Sequence, residues 1–211
     1  MNAKRIRGLY VIIDPDACRG RSAVEVARLA LEGGASVIQW RDKRREKGDQ
    51  LSDAHAIREF CIRHDALLIV NDHVDLALAI GADGVHLGQQ DLPVDLVRPF
   101  VPAGFILGVS TNNAAEARRA AELGASYVAI GSVFPTGSKE PERTRAASVR
   151  RVREVKSAVD VPVVAIGGIN VSNIDEVIAA GADAAAVISA VCAADDPKAI
   201  ATELAARFVA L

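Results

Sequence analysis

Cysteine and aromatic residues are both scarce in this sequence. Its 211 residues contain three cysteines, Cys18, Cys61 and Cys192, and Phe, Trp and Tyr together make up 4% of the chain. The cysteines are odd in number, lie far apart and form no C-x-x-C pair. This pattern indicates free thiols in a reducing cytoplasm, and we expect all three side chains to be small packing residues.

The sequence also lacks a long apolar run and an excess of one charge. Residues 8–13 are only six consecutive apolar or Gly residues, too few for a signal peptide or a membrane span. The formal net charge is -2, so we predict no nucleic-acid partner and no membrane partner, and small soluble substrates instead. A hydrophobic fraction of 50% suits a single domain, residues 1–211, with a large core.

What is present is a regular alternation of apolar runs and amphipathic segments. The runs predicted as strands are 8–14, 36–41, 66–71, 84–87, 105–110, 127–131, 162–167 and 185–189. The segments with apolar residues at three- and four-residue spacing, predicted as helices, are 22–32, 50–64, 74–80, 94–99, 113–123, 146–158, 172–180 and 197–209. The alternation predicts eight strand-helix units.

An internal repeat supports this count. Gly-Ala-Ser or Gly-Ala-Asp closes a helix and opens a strand at residues 34–36, 81–83, 124–126 and 181–183. Continuous apolar strands such as V-V-A-I are typical of parallel sheets buried on both faces. Eight units predict a (β/α)8 TIM barrel, near the lower size limit of about 200 residues. The alternative, a doubly wound open sheet, needs a Gly-rich turn after the first strand, where the sequence reads D-P-D-A-C.

Two acids follow neighbouring strands of the predicted barrel, whose strand ends form the active site in this fold. Within residues 71–93, N-D-H-V-D-L-A-L-A-I-G-A-D-G-V-H-L-G-Q-Q-D-L-P, Asp72 follows the third strand and Asp91 the fourth. Two carboxylates at one sheet edge suit a hard divalent cation with oxygen ligands. The other interpretation is that each Asp caps the helix after it, and these residues alone favour neither.

The second strand ends in Q-W-R-D-K. A period of two places Gln39, Arg41 and Lys43 on one side, towards the barrel mouth, with Trp40 on the other. Two cations beside a metal site indicate a polyanionic ligand such as a diphosphate. The further basic residues within 44–47 are interpreted as a solvated loop.

The later strand ends add hydroxyls and backbone donors. Ser110 ends the fifth strand, where its hydroxyl either bonds a heterocycle or caps the next helix. The loop after the sixth strand suits phosphate oxygens or, equally, forms an ordinary turn; its polar residues are Thr136, Gly137, Ser138 and Lys139. The seventh and eighth strand ends form the usual phosphate site of this barrel type, with backbone donors at helix N-termini expected at Gly168, Ile188 and Ser189. Two separate anion sites are therefore predicted.

Taken together and in order, these motifs point to one family. The chain closely resembles thiamine-phosphate synthase, also called thiamine-phosphate pyrophosphorylase, in Q-W-R-D-K, N-D, A-D-G-V-H-L-G-Q-Q-D-L-P, G-V-S-T, G-S-V-F-P-T-G-S-K and V-V-A-I-G-G-I. The resemblance implies a transferase that joins hydroxymethylpyrimidine diphosphate to thiazole phosphate with Mg²⁺, giving thiamine phosphate and diphosphate. It also implies a dissociative mechanism, in which diphosphate leaves first and the thiazole nitrogen attacks a pyrimidine cation. Such a mechanism needs no protein nucleophile, and we expect no Cys-His or Ser-His pair at the rim.

The resemblance further implies a role for each rim residue. Asp72 and Asp91 would hold Mg²⁺, and Ser110 would bond the pyrimidine. The pyrimidine diphosphate would be held by Gln39, Arg41, Lys43, Asn71 and Lys139. The thiazole phosphate would be held by Thr136, Gly137, Ser138, Gly168, Ile188 and Ser189. The expected catalytic residues are Arg41, Lys43, Ser110 and Lys139.

A few residues depart from the family pattern. Asp42 replaces a commoner Glu and Ser132 a common Pro, and both changes bear on loop packing. Ser138 replaces an expected Thr and keeps the hydroxyl. His86 lies in a strand between apolar and Gly neighbours and is interpreted as a packed core residue.

Two other functions compete with the synthase. A thiazole tautomerase, a related barrel enzyme, uses a histidine just after the fifth strand and lacks the paired metal acids, whereas this chain has T-N-N at residues 111–113 and both acids. A non-catalytic sensor of thiamine phosphate or its precursors would not need the leaving-group cations and the metal ligands together. The sequence leaves open whether the chain forms a homo-oligomer.

Overall fold

The fold is a closed barrel of eight parallel strands surrounded by helices. The computed structural model describes residues 5–135 and 148–209. The strands are β1 Gly8–Ile13, β2 Val37–Trp40, β3 Leu67–Asn71, β4 Gly84–Leu87, β5 Ile106–Thr111, β6 Tyr127–Ile130, β7 Val163–Ile166 and β8 Ala184–Val187. Each strand pairs with the next along the chain, and β8 pairs with β1, in register Tyr10 with Ala186. The predicted TIM barrel is confirmed.

Helices follow the strands as the alternation predicted. Their bounds are α1 Ala23–Glu32, α2 Lys47–Arg63, α3 Val74–Ala79, α4 Val94–Val97, α5 Ala114–Glu122, α6 Val149–Lys156, α7 Ile174–Ala179, α8 Ser189–Cys192 and α9 Pro197–Ala206. Short 3-10 turns at Pro15–Cys18 and Arg98–Phe100 are added. No helix within the described residues is long and apolar enough to cross a bilayer.

Most boundaries differ from the predicted ones by one to three residues, and two segments differ in kind. The segment predicted as one helix, 94–99, ends as a helix at Val97 and continues as a 3-10 turn, because Pro99 has no N–H to donate. The last predicted strand, 185–189, ends at Val187, and Ser189 begins α8, which was not predicted. Of the helix predicted over 146–158, the first two residues lie outside the described part of the chain.

Two apolar layers fill the molecule, one inside the barrel and one between the strands and the helices. Alternate residues of each strand supply them: Tyr10 and Ile12 face the interior, whereas Val11 and Ile13 face the helices. The same alternation buries Trp40 in the outer layer, as predicted. Strands covered on both faces must be apolar on both, which explains their continuous apolar runs.

The Gly-Ala-Ser/Asp repeat has a structural role in each of its four copies. The four glycines all have positive φ, from 64° to 99°, which a residue with a Cβ rarely adopts. The Ser or Asp that follows bonds the neighbouring strand: Asp183 Oδ2 accepts from the Val163 amide at 2.7 Å, and Ser126 Oγ from the Leu107 amide at 3.0 Å. Asp83 accepts from the Leu68 amide in the same way, at 2.8 Å. We name these four side chains, at 36, 83, 126 and 183, the base contacts.

Candidate active site

Asp72 and Asp91 lie together at the carboxyl edge of the barrel. Burial, together with the neighbouring Asp91 carboxyl, raises the pKa of Asp72 above its usual range. The Asp72 backbone has a φ of 63°, and its amide donates to the His86 carbonyl at 2.8 Å, which holds the residue between β3 and β4. Asp91 Oδ2 accepts from the Gly88 amide at 2.6 Å. A cation, Lys43 Nζ, is 3.6 Å from Asp72 Oδ2.

The helix-capping interpretation of these two acids is wrong. The residue before α3 is His73 and the residue before α4 is Pro93, and neither helix has a side-chain cap. The pair instead fits a magnesium ion. Mg²⁺ is commonly held by one or two carboxylates, with the rest of its ligands from substrate phosphates and water. Within residues 5–135 and 148–209, no group of three or more His, Cys, Asp or Glu side chains is placed to hold a metal, so the remaining ligands would come from substrate and solvent.

Gln39 and Arg41 point from β2 into the barrel mouth, as the period of two predicted. They line a narrow cavity of about 70 Å³ together with Asn71, His86 and Ser110. The Arg41 guanidinium forms an ion pair with Asp14, the residue after β1. Only 22% of the Arg41 side chain is exposed, and its pairing with Asp14 fixes the charge in position at the barrel mouth.

Below the mouth, five polar side chains from five strands form a continuous hydrogen-bonded row, which we name the interior chain. Gln39 Nε2 donates to the Tyr10 hydroxyl at 2.8 Å, and the two tyrosine hydroxyls of Tyr10 and Tyr127 are 3.0 Å apart. The Tyr127 hydroxyl is 3.0 Å from His86 Nδ1, and His86 Nε2 is 2.9 Å from Ser110 Oγ. Burial raises the pKa of both tyrosines well above the usual value, so both hydroxyls keep their protons.

The interior chain corrects three expectations. Ser110 does not cap a helix, because Asn113 Oδ1 caps α5 by accepting from the Glu116 amide at 2.9 Å. His86 is buried, as expected, but its ring contacts hydroxyls rather than an apolar core. The expectation of no Ser-His pair at the rim is wrong, because Ser110 and His86 are within hydrogen-bond distance.

A larger cavity of about 580 Å³ opens at the ends of β6, β7 and β8. Gly168, Ile188 and Ser189, the three predicted phosphate-binding residues, all line it. Gly168 needs to be glycine, since its φ is 66° and an added Cβ would lie 2.6 Å from the Pro135 carbonyl oxygen. The Ser132 hydroxyl, on the same wall, is buried and has no hydrogen-bond partner in the described part of the chain. The cavity therefore combines apolar residues with a buried hydroxyl and the backbone of Gly168.

The predicted placing of the backbone donors at helix N-termini is only partly right. Helix α7 begins at Ile174, so Gly168 lies in the preceding loop rather than at the N-terminus of a helix. The Gly168 carbonyl accepts from Asn173 Nδ2 at 3.0 Å, which holds the loop in place. Ile188 and Ser189 do begin a helix, the four-residue α8.

A family model described as thiamine monophosphate synthase matches residues 9–191 of the chain. The chain belongs to this family. Thiamine-phosphate synthase of Methanoculleus marisnigri is 50% identical over 202 residues, covering 96% of this chain and 95% of that protein. The synthase of Methanospirillum hungatei is 45% identical over 198 residues, covering 94% of this chain and 96% of that protein. The family and the enzyme class expected from the resemblance are confirmed.

Solved structures agree with the family assignment. Thiamine phosphate pyrophosphorylase from Pyrococcus furiosus superposes with a TM-score of 0.90 at 39% identity, covering 98% of both chains. A 3-hexulose-6-phosphate synthase, 22% identical with a TM-score of 0.71 and covering 95% of this chain and 99% of that one, shares the fold. The solved relative thus covers nearly all of the barrel.

Part of the synthase motif set lies outside the described residues, namely Thr136, Gly137, Ser138 and Lys139. Sequence reasoning also missed three residues of the site: Asp14, which is ion-paired with Arg41, and Tyr10 and Tyr127 of the interior chain. The one available signal was Asp14, an acid at the end of the first predicted strand and so at the same edge as the metal acids. The tyrosines gave no signal, because an aromatic residue in a strand usually serves the core.

Proposed function

We propose that this chain condenses hydroxymethylpyrimidine diphosphate with thiazole phosphate to give thiamine phosphate and diphosphate. One observation carries the proposal: a single barrel mouth holds two different sites side by side. The first combines Asp72, Asp91 and the fixed cation Arg41. The second is the 580 Å³ cavity beyond β6. A diphosphate with its metal suits the first, and a phosphate on a heterocycle suits the second.

The residues at the first site bind and orient the pyrimidine diphosphate. Arg41 and Lys43 supply positive charge for the diphosphate, and Asn71 and Gln39 supply amides from the neighbouring strand ends. Lys139 would add a further charge. These groups stabilise negative charge as it develops on the leaving diphosphate, which is how a fixed site accelerates such a step.

Asp72 and Asp91 would hold the Mg²⁺ ion. When bound, the ion neutralises charge on the diphosphate. The protein's contribution is the pairing itself, because burial and the neighbouring Asp91 raise the pKa of Asp72, and such an acid has little reason to adjoin a second one except around a cation.

The chain's own residues then act by position, in a dissociative reaction without a protein nucleophile. All three cysteines are buried and free, and none lines either cavity. The second cavity would hold the thiazole phosphate beside the pyrimidine, on Gly168, Ile188 and Ser189. The reacting nitrogen is thereby held next to the carbon that loses diphosphate. We predict that the enzyme is cytoplasmic. That it forms a homo-oligomer stays a prediction, to be tested by measuring its oligomeric state.

The test is diphosphate release from purified protein given both substrates with Mg²⁺. Release should require the metal and both substrates, and thiamine phosphate should appear in equal amount. Absence of release from folded protein would contradict the proposal and favour the tautomerase or the sensor. Binding of both substrates without product would specifically indicate the sensor.

Asp72→Asn provides the sharper version of this test. We expect turnover to fall about 100-fold or more, since the ion and one charge of its site are lost together. Asp75→Asn is the matched control, because Asp75 lies one turn away but is ion-paired with Lys47 at the surface. Circular dichroism should show both variants folded. Equal turnover in the two variants would remove Asp72 from the metal site.

A further inference from the structure

The interior chain lines the narrow cavity, and its hydrogen bonds have a direction. It begins at Gln39 and ends at Ser110. Each hydroxyl in it has one proton to donate, and each neutral histidine has one N–H and one bare nitrogen. The donor at one end therefore determines the donor at every later position.

The donors can be assigned from the Gln39 end. The Gln39 amide nitrogen donates to the Tyr10 hydroxyl oxygen at 2.8 Å. Tyr10 is 1% exposed, so its own O–H must be satisfied inside the barrel, and the Tyr127 oxygen at 3.0 Å accepts it. The Tyr127 O–H then donates to His86 Nδ1 at 3.0 Å. This leaves the His86 proton on Nε2, from which it donates to Ser110 Oγ at 2.9 Å.

We infer that Tyr10 and Tyr127 are positioning residues that hold His86 in its Nε2–H form and so turn the Ser110 hydroxyl outward as a hydrogen-bond donor. Its partner on the ligand is an acceptor without a proton, the bare nitrogen of an aromatic ring. This inference rests on the proposed function, in which that ring is the pyrimidine. The specificity it adds is for a ring nitrogen over a ring C–H or N–H at this position.

The direction of the hydrogen bonds in the interior chain also explains why Ser110, paired with His86, is not a nucleophile. A serine is activated when a neighbouring histidine nitrogen accepts its proton. Here His86 Nε2 is occupied by its own proton, so Ser110 has no base to take its hydrogen. The pair thus orients a ligand without attacking it, in agreement with a dissociative reaction.

The backbone around Tyr127 is shaped for this hydroxyl. Gly108 on β5 faces the tyrosine, and an added Cβ there would lie 2.3 Å from the Tyr127 hydroxyl oxygen. The His86 and Tyr127 rings are stacked with centroids 5.6 Å apart, which fixes the angle at which the hydroxyl meets Nδ1. Gly108 leaves the space that the interior chain of hydrogen-bonded side chains occupies.

The first test is the protonation of His86 in the unliganded wild-type protein. Nuclear magnetic resonance of protein labelled with 15N-histidine distinguishes the two neutral forms, and comparison with His86→Asn assigns the His86 signals among the four histidines. We expect the Nε2–H form. The Nδ1–H form or a doubly protonated ring would overturn the inference, and this readout needs neither activity nor a folded tyrosine variant.

The second test is ring specificity in Tyr127→Phe, which removes one hydroxyl and keeps the ring. The probes are the pyrimidine diphosphate and its two monodeaza analogues, each with one ring nitrogen replaced by C–H, as competitive ligands. Wild-type protein should bind the parent about tenfold more tightly than the analogue that lacks the nitrogen facing Ser110, the factor expected for one hydrogen bond. In Tyr127→Phe that preference should fall to about twofold.

A purely structural role gives a different pattern. If Tyr127→Phe weakens all three ligands equally, or keeps the wild-type preference, the inference is wrong. Tyr10→Phe should give the same change to a smaller extent, and it serves if Tyr127→Phe fails to fold. Failure of the proposed function looks different again: the preference and the Nε2–H form would be present, but diphosphate would not be released.

Discussion

Two arginines that leave the same strand end show how burial separates a binding residue from a surface one. Arg41 is ion-paired with Asp14 inside the mouth. Arg44, three residues on, is ion-paired with Asp16 at 2.7 Å, and 77% of its side chain is exposed. An exposed pair of this kind contributes little to stability, whereas a fixed and partly buried guanidinium is suited to grip a diphosphate.

Arg41→Gln should therefore raise the KM for the pyrimidine diphosphate about tenfold to a hundredfold, the range for one or two charge-assisted hydrogen bonds. Arg44→Gln is the matched control and should leave KM within about twofold of the wild type. Steady-state kinetics at saturating thiazole phosphate measures both. A similar rise in the two variants would mean that net charge at the rim, rather than Arg41 itself, governs binding.

At the scale of residues, the sequence predicted which side chains of one strand point in the same direction. It did not predict which side chains of different strands contact each other inside the barrel. The period of two placed Gln39 and Arg41 correctly, because that rule is local to β2. Tyr10 and Tyr127 are 117 residues apart, and only barrel closure brings their hydroxyls together. His86 was misread for the same reason, since its polar partners lie on other strands.

At the scale of elements, the base contacts join each even-numbered strand to the strand before it. They lie at the end of the barrel away from the site. Asp183 accepts from the Val163 amide and is ion-paired with Lys156 at 2.6 Å. Ser126 occupies the equivalent place on β6 and accepts from the Leu107 amide. Asp and Ser are thus alternative solutions for one buried backbone donor.

Asp183→Ala should lower the free energy of unfolding by about 1–3 kcal/mol, because the Val163 amide loses its acceptor. Asp183→Ser should cost less, since serine meets the same need at Ser126. Asp175→Ala, at an exposed ion pair with Arg207, is the control and should change stability by about 0.5 kcal/mol or less. Urea denaturation followed by circular dichroism gives all three values. A serine variant no better than alanine would show that the ion pair with Lys156 is the main contribution.

Helix α8 is the element at the phosphate cavity, and a single arginine holds its far end. Arg21 Nη2 donates to the carbonyls of Cys192 at 3.4 Å and Ala194 at 2.5 Å, and Nη1 donates to that of Asp195 at 3.2 Å. These carbonyls lie at and just after the C-terminus of α8, where a cation is favourable. Arg21 thus fixes the backbone of Ile188 and Ser189 indirectly.

Arg21→Gln should weaken thiazole phosphate binding about five- to tenfold and leave pyrimidine diphosphate binding unchanged. Arg63→Gln is the control, since Arg63 lies at the C-terminus of α2, at the other end of the barrel, and donates to the Glu59 carbonyl of its own helix. Isothermal titration of each substrate measures the two affinities. Loss of both affinities would indicate general loosening of the barrel.

The same helix shows the limit of prediction for elements. The run A-A-V-I-S-A reads as one buried strand, and nothing in its apolar pattern marks the change of direction after Val187. A four-residue helix is too short to show a period of 3.6 residues. The long helices and the four glycine-capped turns were predictable, because their signals repeat along the chain.

For the whole molecule, the regular alternation of strands and helices made the fold predictable. The function depends instead on the irregular segments that follow the strand ends. Every strand pairs in parallel with its neighbour along the chain, so local units are enough to specify all pairings except that of β1 with β8. That closure is supported by close packing of α1 on α9, where a Cβ at Gly33 would lie 2.6 Å from the Ala201 Cβ. The two cavities adjoin at the same end of the barrel, since Ile166, Ala186 and Ile188 line both.

Trp40, the one tryptophan of the chain, is the last residue of β2 and lies between Gln39 and Arg41 in the sequence. Its side chain is buried in the layer between the strands and the helices. Its indole N–H donates to Gln50 at 2.9 Å, and the Arg45 guanidinium is 5.6 Å from its ring. Because the indole ring is buried, its fluorescence should be emitted at short wavelength. Because Arg45 belongs to the loop after β2, the fluorescence should also respond to any movement of that loop. Adding pyrimidine diphosphate with Mg²⁺ should change the emission, whereas thiazole phosphate alone should not, and Trp40→Phe should abolish the tryptophan signal. The enzyme would thus report the order in which its two substrates arrive, without an added dye.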